Sequence, residues 1–141
     1  MPDELQVLGR AVKQAQYRQH RALDSRLTAA GTTLAQWDAL RAISRAPGSP
    51  ARALAAATFQ SEQAFGTLAG RLTALGLIDR RPGTGRRIEH HLTAAGEEVL
   101  NTGHRIADEV LTACYSTLSP AERTTLLDLL QRVVDGNELP G

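Results

Sequence analysis

Apolar residues recur every three or four positions along most of the chain, which is the spacing of one face of an α-helix. The first such stretch, residues 4–29, contains no proline and ends before Gly31. Five later stretches have the same period and are separated by glycine, proline or capping residues. They cover residues 34–46, 50–58, 61–75, 94–117 and 120–135. The pattern therefore predicts six helices.

Short capping patterns mark where several of these helices begin. Thr33 and Gln36 have the T-x-x-Q spacing of a capping box, and Ser119-Pro120-Ala121-Glu122 has the same spacing with proline at the first helical position. Ser49-Pro50 fits the N-cap and first position of the third helix, and Ser61 and Thr93 are N-cap candidates for the fourth and fifth. Four apolar residues of the fourth helix are expected to face inward: Phe65, Leu68, Leu72 and Leu75.

The period changes from helical to two after Gly76. Residues 77–81 are a strand candidate, and Ile88, His90 and Leu92 alternate with polar residues across 87–92. Pro82-Gly83 fits the central positions of a type II turn between these strands. Because a short connection joins the third and fourth helices and a basic ribbon follows them, the order predicts a winged helix-turn-helix. The expected fold class is mainly α with a small β-ribbon.

Length and composition limit the class of protein. The chain has 141 residues, 42% of them apolar and 4% aromatic, which fits one domain over residues 1–141. This composition argues against a disordered chain and against a stacking platform for single-stranded nucleic acid. The N-terminus has no secretory signal pattern, and no apolar run approaches the roughly 18 residues of a membrane span. We therefore expect a cytoplasmic protein.

The nearly neutral total charge hides an asymmetry along the chain. Lys and Arg total 16 and Asp and Glu total 15, for a net charge of +1. Residues 41–91 contain eight arginines and three acidic residues, whereas residues 92–141 contain three arginines and eight acidic residues. A basic middle segment is typical of a surface that binds phosphates, although a solvated cluster of arginines would have the same composition.

An ordered set of residues resembles the MarR (multiple-antibiotic-resistance regulator) family over nearly the whole chain. The set comprises Leu34-Ala35-Gln36-Trp37-Asp38-Ala39-Leu40, Leu54-Ala55, Ser61 with Leu68 and Leu72, Gly76-Leu77-Ile78-Asp79-Arg80, and Arg86 ahead of Leu92-Thr93 and Gly96. The resemblance implies a homodimeric, sequence-specific DNA-binding transcriptional regulator, expected to be a repressor that a small phenolic or aromatic-acid ligand releases. It also implies that the first, fifth and sixth helices form the dimer interface.

These expectations divide the chain into a winged helix-turn-helix DNA-binding lobe, residues 32–93, and a helical dimerisation region, residues 4–30 and 94–135. Apolar seams at both ends of the chain agree with packing against a second copy. A symmetric dimer places two recognition helices about one turn of DNA apart, so the expected partner is double-stranded DNA with a palindromic operator.

The residues expected to contact DNA lie on the fourth helix and the wing. They are Ser61, Gln63, Ala64, Thr67, Arg71, Arg80, Arg86 and Arg87. Gln63 can pair with adenine, and Ala64 or Thr67 can contact a thymine methyl group. Ser61 either binds phosphate or only caps its helix. By the resemblance, Arg86 corresponds to the arginine that enters the minor groove.

A ligand site is the second candidate site. Five residues of the first two helices are expected to converge there: Tyr17, His20, Arg21, Trp37 and Arg41. An aromatic wall with a few polar groups suits a phenol or an aromatic carboxylate. The alternative for Trp37 is an ordinary core position.

Other chemistry has less support in the sequence. We find no nucleophile with an adjacent base, no phosphate-binding glycine loop and no metal cluster, so we expect no enzyme, cofactor or metal. The single cysteine, Cys114, excludes an internal disulfide. Two alternative functions remain open: a DNA-binding architectural or protein-interaction module without a ligand, and a redox-sensing repressor that uses the Cys114 thiol.

Overall fold

Long helices at the two ends of the chain flank a winged helix-turn-helix. The structure, a computed structural model, describes residues 2–136 and 139. Its elements are α1 (Pro2–Ala29), α2 (Leu34–Arg45), α3 (Ala51–Ala57), α4 (Glu62–Ala74), β1 (Ile78–Pro82), β2 (Ile88–Leu92), α5 (Ala94–Cys114) and α6 (Pro120–Val134). The predicted fold class, mainly α with a small β-ribbon, is confirmed, and α5 ends earlier than the apolar period predicted.

Three of the predicted caps are present in full. The hydroxyl oxygens of Ser61 and Thr93 each accept a hydrogen bond at 3.0 Å from the backbone N–H three positions ahead. Ser119 and Glu122 form the full reciprocal capping box, with Pro120 at the start of α6. These side chains satisfy backbone donors that have no partner inside the helix, so the beginnings of α4, α5 and α6 are encoded locally.

Two other capping predictions were wrong in part. Thr33 accepts from the Gln36 N–H at 3.1 Å, but the Gln36 side-chain oxygen accepts from the Thr32 hydroxyl instead of completing the box. The buried Thr32 hydroxyl takes this acceptor because a buried donor without a partner is costly. At α3 the N-cap is Pro50, and the Ser49 hydroxyl instead donates to a carbonyl of the preceding turn.

The core lies where α2, α3, α4 and β1 meet the second half of α1 and the middle of α5. Its largest fully buried side chains are Leu27, Leu40, Ile43, Leu54, Phe65, Leu72 and Ile78. On α4 the buried line is Phe65, Ala69 and Leu72, whereas Leu68 is half-buried and Leu75 is 56% exposed. Leu75 was expected inward, but it is the C-cap of α4, where the chain leaves the helix axis toward Gly76.

The ribbon is an antiparallel pair that runs from Ile78 opposite Leu92 to Pro82 opposite Ile88. The predicted type II turn at Pro82-Gly83 was wrong, because Pro82 is still paired in β1. The Gly83 N–H continues the pairing by donating to the Arg87 carbonyl at 2.7 Å. The turn therefore moves to residues 84–87, where Gly85 has the positive φ of 67°.

A tryptophan joins the winged lobe to the helical region. The Trp37 indole is 3% exposed, and its Nε1–H donates to the Leu100 carbonyl of α5 at 3.3 Å. A Cβ atom on Gly103 would lie 2.1 Å from Cδ1 of this ring. Only glycine therefore allows α2 to approach α5 this closely. Gly96 has the same role beside the ribbon, since a Cβ there would lie 2.0 Å from the Leu77 carbonyl oxygen.

The ends of the chain leave apolar side chains uncovered. Leu8 and Val12 of α1 and Leu127 and Val133 of α6 are exposed, and no described residue of α6 is buried. Within the described ranges, no helix has both the length and the apolar character needed to cross a membrane.

Replacing Gly103 with alanine should destabilise the fold. The added methyl group would overlap the Trp37 ring and force α2 and α5 apart, at a cost of about 1–3 kcal/mol. Gly66→Ala is the matched control, because Gly66 is also inside a helix but has no atom within 4 Å of an added Cβ. That change should stabilise the protein by up to about 1 kcal/mol through helix propensity.

Thermal denaturation of both variants and the wild type measures the difference. An unchanged Tm for Gly103→Ala would contradict the close approach of α2 and α5.

Candidate nucleic-acid interface

The second helix of the helix-turn-helix, α4, has one buried face and one exposed face. The exposed face carries four of the residues that were expected to contact DNA, namely Gln63, Ala64, Thr67 and Arg71. Ser61 lies at the exposed start of the helix, where its hydroxyl caps α4. The Thr67 hydroxyl donates to the Gln63 carbonyl at 3.2 Å, so it already has a partner within the helix. The Gln63 amide and the Arg71 guanidinium have none among the described residues.

The wing carries two exposed arginines at its tip. Arg86 is a central residue of the four-residue turn 84–87, and Arg87 follows it at the end of that turn. Neither guanidinium has an ion-pair partner among the described residues, whereas Arg81 on β1 lies 3.6 Å from the Asp79 carboxylate. The tip is therefore a local concentration of uncompensated positive charge.

Arg80 was grouped with the wing arginines but lies against α4. Its Nε donates to the Thr73 hydroxyl at 3.2 Å. A Cβ on Gly70 would lie 3.1 Å from a terminal nitrogen of the same guanidinium. The missing side chain at Gly70 therefore makes room for Arg80, which links β1 to the second half of α4.

A buried histidine, whose contacts the sequence did not reveal, anchors the ribbon. His90 is 2% exposed, and its Nδ1 lies 2.9 Å from the Ser49 carbonyl oxygen. Its ring packs edge-on against Phe65 of α4, with 5.9 Å between ring centroids. The period of two placed His90 on the inner side of the ribbon, but nothing local identified Ser49 or Phe65 as its neighbours. His91, on the other side, pairs with the Glu89 carboxylate at 3.1 Å.

Four of the five residues of the expected ligand site form two contacting pairs, and His20 belongs to neither. The Arg41 guanidinium lies over the Trp37 ring, 4.6 Å from its centroid, and the Arg21 guanidinium lies 5.7 Å from the centroid of Tyr17. Both distances are within the range of cation–π interactions. Trp37 is a core residue, whereas Tyr17 and His20 are exposed.

Asp38 lies between charged groups beside these pairs. Burial raises the pKa of its carboxyl above the ordinary value, and the opposing effects of Arg41, His20 and Arg45 are smaller. The Arg41 guanidinium is 3.6 Å from this carboxylate. Because the folded-state pKa is raised, ionisation of Asp38 lowers stability as the pH rises through that pKa. The Arg41 Nε is buried and has no hydrogen-bond partner among the described residues.

Cys114 is the last residue of α5 and is half-buried. It lines a groove of about 390 Å³ between α1 and α5, together with Arg18, Arg26 and Glu109. Arg26 and Glu109 form an ion pair across this groove at 2.6 Å. In the part of the chain that the structure describes, no group of three or more His, Cys, Asp or Glu residues is placed to hold a metal ion.

The fold and this face define a winged helix-turn-helix protein with long helices at both ends. Residues 30–88, from the end of α1 to the start of β2, match the family model described as MarR family. Over these residues the chain is similar to the MarR family of transcription regulators. A comparison with curated protein sequences finds no significant match.

Three solved structures illustrate the similarity. A probable transcriptional regulator from Pseudomonas aeruginosa is 29% identical with a TM-score of 0.79, over 89% of this chain and 95% of that one. A mutant of E. coli MarR in complex with operator DNA is 23% identical with a TM-score of 0.84, over 93% and 96%. Bordetella bronchiseptica BpsR, whose DNA binding is regulated by 6-hydroxynicotinic acid, is 21% identical with a TM-score of 0.83, over 91% and 98%.

Proposed function

We propose that the protein is a homodimeric repressor that binds a palindromic operator and is released by a small aromatic acid. In this proposal residues 32–93 bind DNA, and residues 4–30 and 94–135 form the dimer. The observation that carries it is the exposed face of α4 beside a wing with two uncompensated arginines.

The side chains on this face suit a DNA duplex. Gln63 has the amide that pairs with adenine, and Ala64 or the Thr67 methyl group can contact thymine. At the wing tip, Arg86 and Arg87 suit the negative potential of a narrow minor groove. Ser61 contributes by fixing the start of α4, with its hydroxyl on the helix backbone.

Charge along the chain supports the same orientation. The basic residues of segment 41–91 belong to α2, α3, α4 and the ribbon, whereas segment 92–141 is acidic and its described residues include α5 and α6. An acidic helical region held away from the phosphates avoids repulsion while the basic lobe is attracted to them. A protein-interaction module without DNA affinity would not need this separation.

Exposed apolar surface at both ends of the chain supports a homodimer. The exposed apolar residues are Leu5, Val7, Leu8 and Val12 on α1 and Leu127, Leu129, Leu130, Val133 and Val134 on α6. This many exposed large apolar side chains on two helices are typical of an interface. In a twofold-symmetric dimer, α1 and α6 would pack against the same helices of a second copy. The two α4 helices would then be placed to contact the two halves of a palindromic site.

The proposed ligand site is the cluster around Arg41. Its guanidinium has a buried Nε without a partner among the described residues and only a long contact to the Asp38 carboxylate. A ligand carboxylate would pair with this charge, and the Trp37 ring beneath the guanidinium offers an aromatic surface. BpsR supports the chemical class, since its effector is a hydroxylated aromatic acid.

Arg86→Ala should weaken DNA binding more than Arg105→Ala. Arg105 is exposed on the acidic α5 and serves as the matched control. Losing one phosphate-region charge from each wing of a dimer should lower the slope of log affinity against log salt concentration by about 2. Gel shifts with a duplex selected by the wild type, at two salt concentrations, measure both effects. Equal losses for the two variants would contradict this assignment, and failure to select any sequence would contradict sequence-specific binding.

Leu127→Glu should prevent dimer formation. Leu127 is 61% exposed on the single chain, so a charge there costs little unless a second copy covers it. Arg132→Glu places the same carboxylate about 140° around α6 from Leu127, at an exposed position on the polar side, and should leave the dimer intact. Sedimentation equilibrium gives the mass of each variant. A wild type that sediments as a monomer would contradict the proposed homodimer.

Salicylate or 6-hydroxynicotinate should bind the protein and lower its affinity for DNA. Arg41→Gln removes the proposed carboxylate partner and should weaken ligand binding about tenfold, since charge-assisted bonds are among the stronger ones. Arg45→Gln, at the end of the same helix, is the control. Calorimetry with each acid, followed by gel shifts, tests this. No heat and no change in DNA affinity would leave the ligand-independent module as the better account.

A further inference from the structure

Phe59 combines an unfavourable backbone with an uncovered side chain. It lies in the connection between α3 and α4 and has a φ of 58°, and it is the one non-glycine residue with a positive φ in the described part of the chain. Its side chain is 96% exposed. Each property is unusual for an aromatic residue, and the two occur together beside the proposed DNA surface.

The turn itself requires the left-handed backbone. The Phe59 N–H donates to the Ala56 carbonyl at 3.3 Å, and the Gln60 N–H donates to the Ala55 carbonyl at 2.9 Å. These two bonds form a Schellman motif at the end of α3, in which the residue after the C-cap Thr58 is left-handed and usually glycine. A Cβ atom at this position approaches the following carbonyl oxygen, so phenylalanine strains the turn where glycine would not.

Nothing within the described chain compensates for this strain. A ring that is 96% exposed buries almost no apolar surface on folding and contributes little to the core. Glycine would therefore serve the isolated protein better at position 59. Strained residues that persist in this way are concentrated at binding sites, where the side chain has a use outside the fold.

Because Phe59 lies in the turn of the helix-turn-helix, DNA is the binding partner that its exposed ring is best placed to contact. It precedes Ser61, the N-cap of α4, by two residues, which is about 7 Å of chain. The N-terminal residues of a recognition helix contact base edges in the major groove. The lobe around it carries the basic segment of the chain, which favours DNA over an apolar protein surface.

The chemistry of the groove narrows the contact further. Among the base edges of the major groove, the thymine methyl group is the apolar feature, and phenylalanine is one of the side chains that contact it. We propose that Phe59 reads a thymine at the edge of each half-site through its methyl group. This proposal rests on the proposed DNA-binding function.

The test measures stability and DNA affinity for the same variants. Phe59→Gly should raise Tm by a few degrees because it relieves the strained turn. It should also weaken binding to a wild-type-selected duplex by about fourfold or more per half-site, the effect expected from exposing one methyl group. Phe59→Tyr keeps the ring and should retain the affinity. Leu75→Ala, an exposed apolar residue at the other end of α4, should leave the affinity unchanged.

A duplex with uracil in place of the proposed thymine separates the methyl contact from other effects. The substitution should weaken binding by the wild type and have no effect on Phe59→Gly. Wild-type affinity for Phe59→Gly, or an equal effect of uracil on both proteins, would overturn the proposal and leave the proposed function intact. A changed oligomeric mass of Phe59→Gly with unchanged affinity would also overturn it, in favour of a protein contact. A wild type that selects no DNA would overturn both.

Discussion

The packing of the Trp37 indole into the space above Gly103 is the contact on which the rest of the structure depends. At this contact α2 of the winged lobe meets α5 of the helical region. The indole N–H holds the ring in place by donating a hydrogen bond to the Leu100 carbonyl. The Arg41 guanidinium lies over the same ring, 4.6 Å from its centroid. The proposed ligand site is therefore built directly on the joint between the two regions. A ligand that engaged Arg41 would act where it can change the angle at which the winged lobe is held.

A second joint holds the wing to the rest of the lobe. His90 reaches the backbone of Ser49 and packs against Phe65, and the Gly48 N–H donates to the His90 carbonyl at 2.9 Å. The same residue thus contacts the loop before α3 and the buried face of α4. Arg80 makes a second link between β1 and α4 through Thr73. Because of these two links, the exposed face of α4 and the arginines of the wing tip are presented as one unit.

The sequence predicted the elements of this fold better than the contacts between them. The helical period, the Ser61 and Ser119 caps and the change to a period of two are local signals, and each was sufficient to predict its element. The Trp37–Gly103 contact and the His90–Ser49 contact join residues distant along the chain, so no local pattern encodes them. The turn at Gly85 was missed because a proline at position 82 fits a turn as well as an edge strand.

In the candidate site, too, the features set by local sequence could be predicted and those set by distant contacts could not. The exposed positions of α4 follow from which of its residues are apolar, and therefore could be predicted. The contact between Arg80 and the Thr73 hydroxyl could not be predicted, because it joins β1 to α4 through side chains that share no local pattern. The left-handed backbone of Phe59 also depends on how α3 ends, which a sequence of alanines does not reveal.

Two locally destabilising features lie on the surface that is proposed to meet DNA. Gly66 interrupts the exposed face of α4 without filling any close contact, and Phe59 strains the turn in front of it. The burial of Phe65 and Leu72 on the other face of the same helix contributes stability that offsets both unfavourable effects. Because the buried face stabilises α4, the residues on its exposed face do not have to contribute to the fold and can instead suit contacts with DNA. The near-neutral net charge hides the same division, since segment 41–91, which contains this surface, has eight basic and three acidic residues, whereas segment 92–141 has three basic and eight acidic residues.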